Sequence, residues 1–250
     1  MNKYFILILL LLFNFLSGQN LENSNTSPIH ILGSITKTEG LVQDDIKFDT
    51  VWVKNLKLLL PCKNTKVPKK STRLPNALRE YRNGIHKGID FFANWGTEVR
   101  AVAKGFVVRA DHNYIEYPAV FRENMLKSAD KVGHTPSDIF NNVLLGKAVF
   151  LDHGFDLVPG FRAITIYAHL SSIEENIVGG ALVDVGQIIG RTGNSGTKPS
   201  TFGKKNDAHL HWEMILQKNN KEIYLGEDIP YEILYNMLLS IFQKDLPNNS

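Results

Sequence analysis

Two short histidine patterns contain the residue types that could perform chemistry. The first places His86 and Asp90 four residues apart in HKGID, and the second is His209-Leu210-His211. Imidazole and carboxylate are good Zn²⁺ ligands, and three protein ligands leave a fourth position open, as in catalytic zinc sites. Water bound there becomes a nucleophile at neutral pH. The two patterns are therefore candidates for a catalytic metal site.

The second pattern predicts a β-strand. In HLHWEMIL, His209, His211 and Glu213 share one face of an extended chain. The other face is apolar and can pack into a core, with Leu210, Trp212, Met214 and Leu216. Two histidines at this spacing have Cα atoms about 6–7 Å apart. This arrangement suits a site in which one histidine binds a metal and the other acts beside it.

The first pattern requires a bend. In a straight strand, His86 and Asp90 would lie about 13 Å apart, too far to share one metal ion. If both are ligands, the chain must turn near Gly84 or Gly88, where glycine tolerates unusual dihedrals. We then expect His86 on a turn and Asp90 at the start of a strand.

A further histidine, His169, ends the run AITIYAHL. The alternation predicts that Ile164, Ile166 and Ala168 face the core and that His169 lies on the opposite face with Tyr167. An unligated imidazole near a metal can stabilise an oxyanion or shuttle protons. The alternative is a structural histidine held by hydrogen bonds.

The elements that must position these residues are short strands. From residue 84 onward, β-branched runs alternate with glycine turns, which predicts an all-β sandwich or barrel. The runs span residues 98–110, 147–151, 163–170, 181–189 and 209–216.

Residues 111 to 146 interrupt this pattern and predict a partly helical insertion. Apolar residues recur there at helical spacing, at Phe121, Met125, Ala129 and Val132. Thr135 before Pro136 predicts an N-cap followed by proline at the first helical position.

The segments on either side of this β-rich region have different predicted structures. Residues 19 to 75 predict an N-terminal arm or linker with a strand within 47 to 60, and residues 227 to 250 predict a C-terminal helix. Asp228 would cap this helix, and Pro230 suits its first turn. Its predicted apolar face consists of Ile233, Leu234, Met237, Leu238 and Ile241.

Taken together, the motifs resemble peptidase family M23, the lysostaphin-like or LytM-like zinc metalloendopeptidases. The similar stretches are GIHKGIDFFANWGTEVRAVAKGFVVRA, VFLDHG, YAHLS, VDVGQIIGRTGNSG and HLHWE. They cover about residues 84 to 216 in the family's order, within an M23-like domain that we place at 76 to 226.

The resemblance implies an antiparallel β-sandwich with a groove over one sheet. It implies one Zn²⁺ per chain, held by His86, Asp90 and His211, with His169 and His209 as the catalytic pair. It also implies hydrolysis of peptide bonds in peptidoglycan stems or cross-bridges. His209 is the preferred general base and His169 the preferred oxyanion stabiliser, although these two roles can be exchanged.

Two segments depart from the family pattern. The insertion at 111 to 146 and the stretch TKPSTFGKKNDA before His209 are both longer than usual, and we expect both to border the groove. His153 fits the family phrase VFLDHG but is not expected to be a zinc ligand; it is expected to be structural or to support a ligand from outside. His30, His112 and His134 match nothing and are expected at the surface.

The N-terminus predicts export. Lys3 and the apolar run from Tyr4 to Phe13 resemble a secretory signal within residues 1 to 18, and the run is too short for a mature membrane span. An uncleaved anchor is the alternative. After cleavage we expect no stable membrane span and a periplasmic, envelope-associated or secreted protein.

Composition narrows the remaining possibilities. The chain has 250 residues, a hydrophobic fraction of 43% and a formal net charge of +3, which favour a globular fold. The basic run at 63 to 73 lacks interleaved aromatics, so a solvated loop is expected and no nucleic-acid partner. Cys62 is the single cysteine, which excludes an internal disulfide; we expect a buried, inert thiol. Oligomeric state is not predicted.

Two other function classes fit parts of the pattern. A non-catalytic LytM-like regulator that activates cell-wall amidases would typically lack metal ligands or catalytic histidines, whereas all five positions are intact here. A wall-binding module without chemistry would leave the histidine set unexplained.

Overall fold

The computed structural model describes residues 46–244, in which strands dominate. The strands are β1 (Leu58–Leu59), β2 (Leu78–Arg79), β3 (Gly84–Ile85), β4 (Ile89–Phe92), β5 (Glu98–Arg100), β6 (Gly105–Ala110), β7 (Val149–Asp152), β8 (Arg162–Ala168), β9 (Leu170–Ile173), β10 (Leu182–Val183), β11 (Ile188–Thr192), β12 (His209–Lys218), β13 (Lys221–Tyr224) and β14 (Phe242–Gln243). The α-helices are α1 (Ala119–Val132), α2 (Ser137–Ile139) and α3 (Tyr231–Ile241), and a π-helical turn spans Phe140–Leu144. Short 3₁₀ turns span Thr50–Val53, Ser71–Arg73, Glu80–Arg82 and Ser200–Phe202. The predicted all-β class is confirmed.

Two antiparallel sheets enclose the core. The larger sheet has the order β10-β6-β7-β8-β12-β13, and β4 also pairs with β12. The smaller has the order β5-β11-β9. Buried side chains of both sheets, such as Val99, Ile189 and Trp212, belong to one hydrophobic cluster, so the sheets pack face to face.

The longest strand, β12, has the predicted alternation. Its apolar face is buried in the core, with Leu210, Trp212, Met214 and Leu216 at most 1% exposed. The opposite face carries His209, His211 and Glu213. Burial of one face fixes the register, because a slip of one residue would turn the histidines into the core.

The predicted faces of β8 are wrong. Tyr167 pairs with Trp212 across the sheet and shares its core-facing side, whereas Ile166 pairs with Glu213. The apolar residues expected in the core therefore lie on the face of the histidines. They are still buried, so hydrophobic alternation alone could not distinguish the two sides.

The predicted insertion is present and packs beside this second face. Arg109 donates to Asn141 O at 3.0 Å and lies over the Phe150 ring. Thr135 does not cap a helix as predicted. Its hydroxyl donates to the backbone oxygen of Arg82, and Pro136 occupies the N-cap position of α2 without a side-chain hydrogen bond.

The N-terminal flank differs from the prediction. Only β1 is a strand within 47 to 60, because Thr50–Val53 forms a 3₁₀ turn whose Val51 N–H donates to the Asp49 carboxylate. β1 pairs in parallel with β14, at the other end of the described chain.

The predicted C-terminal helix is present as α3. Pro230, and not Asp228, occupies its N-cap. Four of the five predicted apolar positions are buried, but Ile233 is 54% exposed. The face of α3 that packs against the core is therefore narrower than predicted.

Cys62 is fully buried, and burial raises the pKa of its thiol to about 12, as expected for an inert cysteine. Within residues 46–244, no helix combines the length and apolar character needed to cross a membrane. The predicted signal at 1 to 18 lies outside the described residues, as do residues 19 to 45 of the predicted arm.

Tyr167 links the two sheets and provides a test of the fold. Its buried hydroxyl accepts a hydrogen bond from the Val102 backbone N–H at 2.9 Å. Tyr167→Phe leaves that N–H unsatisfied, so we expect the free energy of unfolding to fall by about 1–3 kcal/mol. Urea denaturation measures this. Tyr117→Phe is the control, since no hydrogen bond to the Tyr117 hydroxyl occurs in the described chain; equal stability of both variants would contradict the assignment.

Candidate metal centre

The pairing of β4 with β12 places the first two candidate ligands together. Asp90 lies directly opposite His211 in this antiparallel register, and directly opposed residues point to the same face. Asp90 Oδ1 is 2.9 Å from His211 Nδ1. Residues 121 positions apart in sequence therefore meet through a single strand pairing.

His86 reaches the same point from the bend that precedes β4. Its backbone is fixed by two hydrogen bonds, from His86 N to Ala77 O at 2.8 Å and from Asn76 N to His86 O at 2.9 Å. Its Nε2 lies 2.9 Å from Asp90 Oδ1 and 3.1 Å from His211 Nδ1. The expected bend is present and brings all three candidate ligands together.

Gly88 has a different role from the one predicted. It is not among the glycines with positive φ, so the bend does not need its conformational freedom. A Cβ atom at Gly88 would instead lie 2.5 Å from Trp212 O and 2.9 Å from His211 Cε1. Glycine is needed because the bend packs directly against β12.

Hydrogen bonds to the outer nitrogens fix the protonation of both rings. His86 Nδ1 lies 2.9 Å from Leu74 O, and His211 Nε2 lies 2.6 Å from Glu213 Oε1. In the neutral rings each outer nitrogen therefore donates its proton to an oxygen, and each inner nitrogen keeps its lone pair. Two lone pairs and a carboxylate oxygen then face one another, an arrangement that a cation stabilises.

The ionised Asp90 and the neutral ring of His86 favour a cation as well. Burial raises the pKa of Asp90, but His86 and His211 outweigh this effect and hold it well below its usual range. Burial lowers the pKa of His86, which favours the neutral ring. For His211, burial is outweighed by hydrogen bonds to Asp90 and Glu213, and its pKa rises to about 9. A metal ion must therefore displace the Nδ1 proton of His211 in order to bind there.

This donor set fits zinc. The three inner atoms are 2.9–3.1 Å apart, close to the roughly 3.3 Å between ligand atoms of a tetrahedral zinc ion. All three residues are buried, and they form the one group of this kind within the described residues.

The two candidate catalytic histidines lie beside this group. His169 joins β8 to β9 with a left-handed φ of 61°, which departs from the strand position predicted for it. Its ring centroid is 4.8 Å from that of His209 and 5.6 Å from that of His211. His209 Nε2 lies 3.9 Å from Asp90 Oδ1.

The rings of His169 and His209 are each held by a hydrogen bond at Nδ1. His169 Nδ1 lies 2.8 Å from Ser195 O, and His209 Nδ1 lies 2.7 Å from Asp207 O. The neutral rings therefore carry their proton on Nδ1, and each Nε2 is an acceptor. Burial, reinforced by the neighbouring histidines, holds the pKa of His169 well below its usual value.

A cavity of about 640 Å³ opens over all five residues. The insertion contributes one wall, including Arg122, Leu126 and Phe140, and the stretch before His209 contributes Lys198 and Phe202. Both unusually long segments therefore border the site, as expected.

Sequence comparison identifies the family. The model of peptidase family M23 matches residues 84–224, more than half of the chain. The chain belongs to peptidase family M23. This M23 chain has no match among curated proteins.

Several solved structures are similar to it. A zinc-containing peptidase from Vibrio cholerae is 20% identical, with a TM-score of 0.35, and the match covers 58% of this chain and 31% of that one. The catalytic domain of lysostaphin from Staphylococcus simulans is 21% identical, with a TM-score of 0.34 and coverages of 75% and 98%. The M23 chain thus spans about a third of the Vibrio cholerae chain.

The other histidines lie elsewhere. His153 is buried away from the metal centre and bonds Lys104 O and the Thr165 hydroxyl, both at 2.7 Å, which is a structural arrangement. His112 is partly buried, with Nε2 2.7 Å from Ile177 O, whereas His134 is exposed. His30 lies outside the described residues.

Several supporting residues were missed by the sequence analysis. Glu213 was placed on the correct face, but its hydrogen bond to His211 was not predicted. Its position two residues after His211 on the same strand face could have indicated this contact. Arg79 donates to Asp90 Oδ2 at 3.1 Å, and Phe92 stacks on His209 with centroids 4.9 Å apart. No local pattern indicates these last two contacts, which depend on tertiary pairing.

Glu213 offers a test of the outer contacts. In Glu213→Gln, the charged acceptor of the His211 Nε2 proton is lost, so we expect zinc affinity to fall about 10–100-fold. Competition with a chromophoric chelator measures the Kd. Glu222→Gln, on the exposed side of the neighbouring strand β13, is the matched control. An affinity unchanged in Glu213→Gln would contradict this role.

Proposed function

We propose that this M23 chain is an exported zinc metalloendopeptidase that cleaves peptides of peptidoglycan. The observation that supports this most is the convergence of one carboxylate oxygen and two imidazole lone pairs, beside two further rings with acceptor nitrogens. The M23 family is zinc-dependent and includes peptidoglycan hydrolases. Because peptidoglycan lies outside the cytoplasmic membrane, this function requires export, in agreement with the predicted signal.

In this proposal each residue has a distinct role. His86, Asp90 and His211 hold the metal, which when bound supplies a polarised carbonyl and a water of lowered pKa. His209 accepts the proton from that water at Nε2. His169 stabilises the oxyanion. Because its low pKa keeps the resting ring neutral, with the proton on Nδ1, this role requires Nε2 to take up a second proton as negative charge develops on the substrate. The same geometry lets the two rings exchange roles.

Single substitutions separate binding from catalysis. We expect His211→Ala to lose both zinc and hydrolysis, because one of three ligands is removed. We expect His169→Ala to keep stoichiometric zinc but to lower kcat about 10²–10⁴-fold, the usual contribution of a positioned acid–base group. Metal analysis and peptide hydrolysis on the same samples measure both. His134→Ala, at the surface, is the control, and full activity of zinc-loaded His169→Ala would refute its role.

The substrate is tested directly on purified sacculi. Zinc-loaded protein should release soluble fragments whose masses show cleavage within stem peptides or cross-bridges, and the masses identify the bond. The amount released should fall after chelation and recover with added zinc. If the zinc-loaded protein releases nothing but stimulates a cell-wall amidase, the enzyme proposal is wrong and a regulator is favoured.

A further inference from the structure

A second cavity, of about 950 Å³, lies next to the metal centre. We call it the basic cleft, because its lining contains seven cationic side chains: Lys63, Lys66, Lys69, Lys70, Arg73, Arg100 and Lys244. Among the described residues that line it, Asp90 is the only carboxylate. Both oxygens of Asp90 are already engaged, one by His86 and His211 and the other by Arg79.

Ion pairs within the described part of the chain do not neutralise the charge of the basic cleft. Within residues 46–244, none of the cations that line the cleft takes part in an ion pair. The chain as a whole has a formal net charge of only +3, so this surplus is local. Like charges gathered around a concave surface raise the local concentration of anions. The cleft therefore favours an anionic ligand.

The loop that carries the lysines is held in place. Val67 is 4% exposed and Leu74 is 1% exposed. The Tyr231 hydroxyl donates to Lys69 O at 2.5 Å, and the Thr65 hydroxyl donates to Cys62 O at 2.7 Å. The side chains are solvated, as predicted for this loop, but they project from a fixed backbone around a concave surface.

The basic cleft adjoins the candidate active site. Asp90 lines both cavities. The Arg73 guanidinium lies 3.8 Å from the centroid of Phe92, and the other partner of Phe92 is the His209 ring, stacked at an interplanar angle of 11°. Arg73 therefore brings one cation of the cleft next to the metal centre, separated from the His209 ring by Phe92.

We propose that the basic cleft binds carboxylates of the substrate peptide, so that the enzyme selects anionic peptides over their amidated equivalents. This inference rests on the proposed function and specifies its substrate class, a peptide with free carboxylates on one side of the cleaved bond. Phosphate polymers share the anionic chemistry. The position of the cleft next to the metal centre favours the peptide, because one extended molecule can then occupy both cavities.

The test compares two forms of one substrate. Purified muropeptides released from sacculi are used with free carboxylates, and in parallel after amidation with carbodiimide and ammonium chloride. In a triple variant, all three loop lysines are replaced by glutamine: Lys66→Gln, Lys69→Gln and Lys70→Gln. We expect its KM for the carboxylated form to rise about tenfold, because several modest ion pairs with the substrate are lost. Its kcat should stay the same, and KM for the amidated form should not change.

Matched variants control for charge and folding. Lys47→Gln, Lys54→Gln, Lys104→Gln removes three exposed lysines that line neither cavity and should leave both KM values unchanged. Replacing residues 66, 69 and 70 by arginine should restore the low KM for the carboxylated form. Added salt should raise KM of the wild type more than that of the glutamine variant, because screening weakens only contacts that are present.

The outcomes separate the two proposals. A KM that stays the same in the glutamine variant, or rises equally for both substrate forms, overturns the role of the cleft. The same holds if inorganic polyphosphate binding is lost while KM for the peptide is unchanged. If zinc-loaded wild type cleaves neither form, the proposed function fails. Fluorescence anisotropy of labelled peptides then decides on the cleft, since preference for the carboxylated form supports it and equal binding overturns it.

Discussion

The register between β4 and β12 is the constraint on which the site depends. It sets Asp90 opposite His211, and the alternation of side chains across a sheet leaves no freedom to correct an error of one residue. Phe91 and Trp212, which follow the candidate ligands Asp90 and His211 in sequence, are buried on the reverse face of the sheet. The hydrophobic core therefore fixes the position of these candidate ligands, and the polar contacts need only orient their side chains.

The orientation of the histidine rings is set by hydrogen bonds to oxygens outside the candidate ligand group. Each of the four site histidines has one ring nitrogen within 2.6–2.9 Å of a backbone carbonyl or the Glu213 carboxylate. These acceptors belong to four different parts of the chain. A buried imidazole without such a partner would lose hydration with no compensation, so the same contacts that satisfy burial also select the nitrogen that faces the cavity.

The parts of the site that could be predicted from the sequence are those that depend on the spacing of residues within one short segment. The alternation in β12 indicated both faces correctly, and the spacing of His86 and Asp90 required a bend that is present. The faces of β8 could not be predicted, because the insertion buries its second face as well. His169 was assigned to a regular strand, and its left-handed φ has no signal in residue type. The role of Gly88 depends on the approach of another strand.

The parallel pairing of β1 with β14 joins the two flanks of the family-matched region. Phe242 packs edge-on against both Phe91 and Trp212, directly behind two of the ligands. A protein truncated to residues 84–224 would lose the β1–β14 pairing and the side chains that β1 and α3 contribute to the core. The truncation would also expose an apolar surface behind the candidate metal centre. The boundaries of sequence similarity are therefore narrower than those of the folding unit.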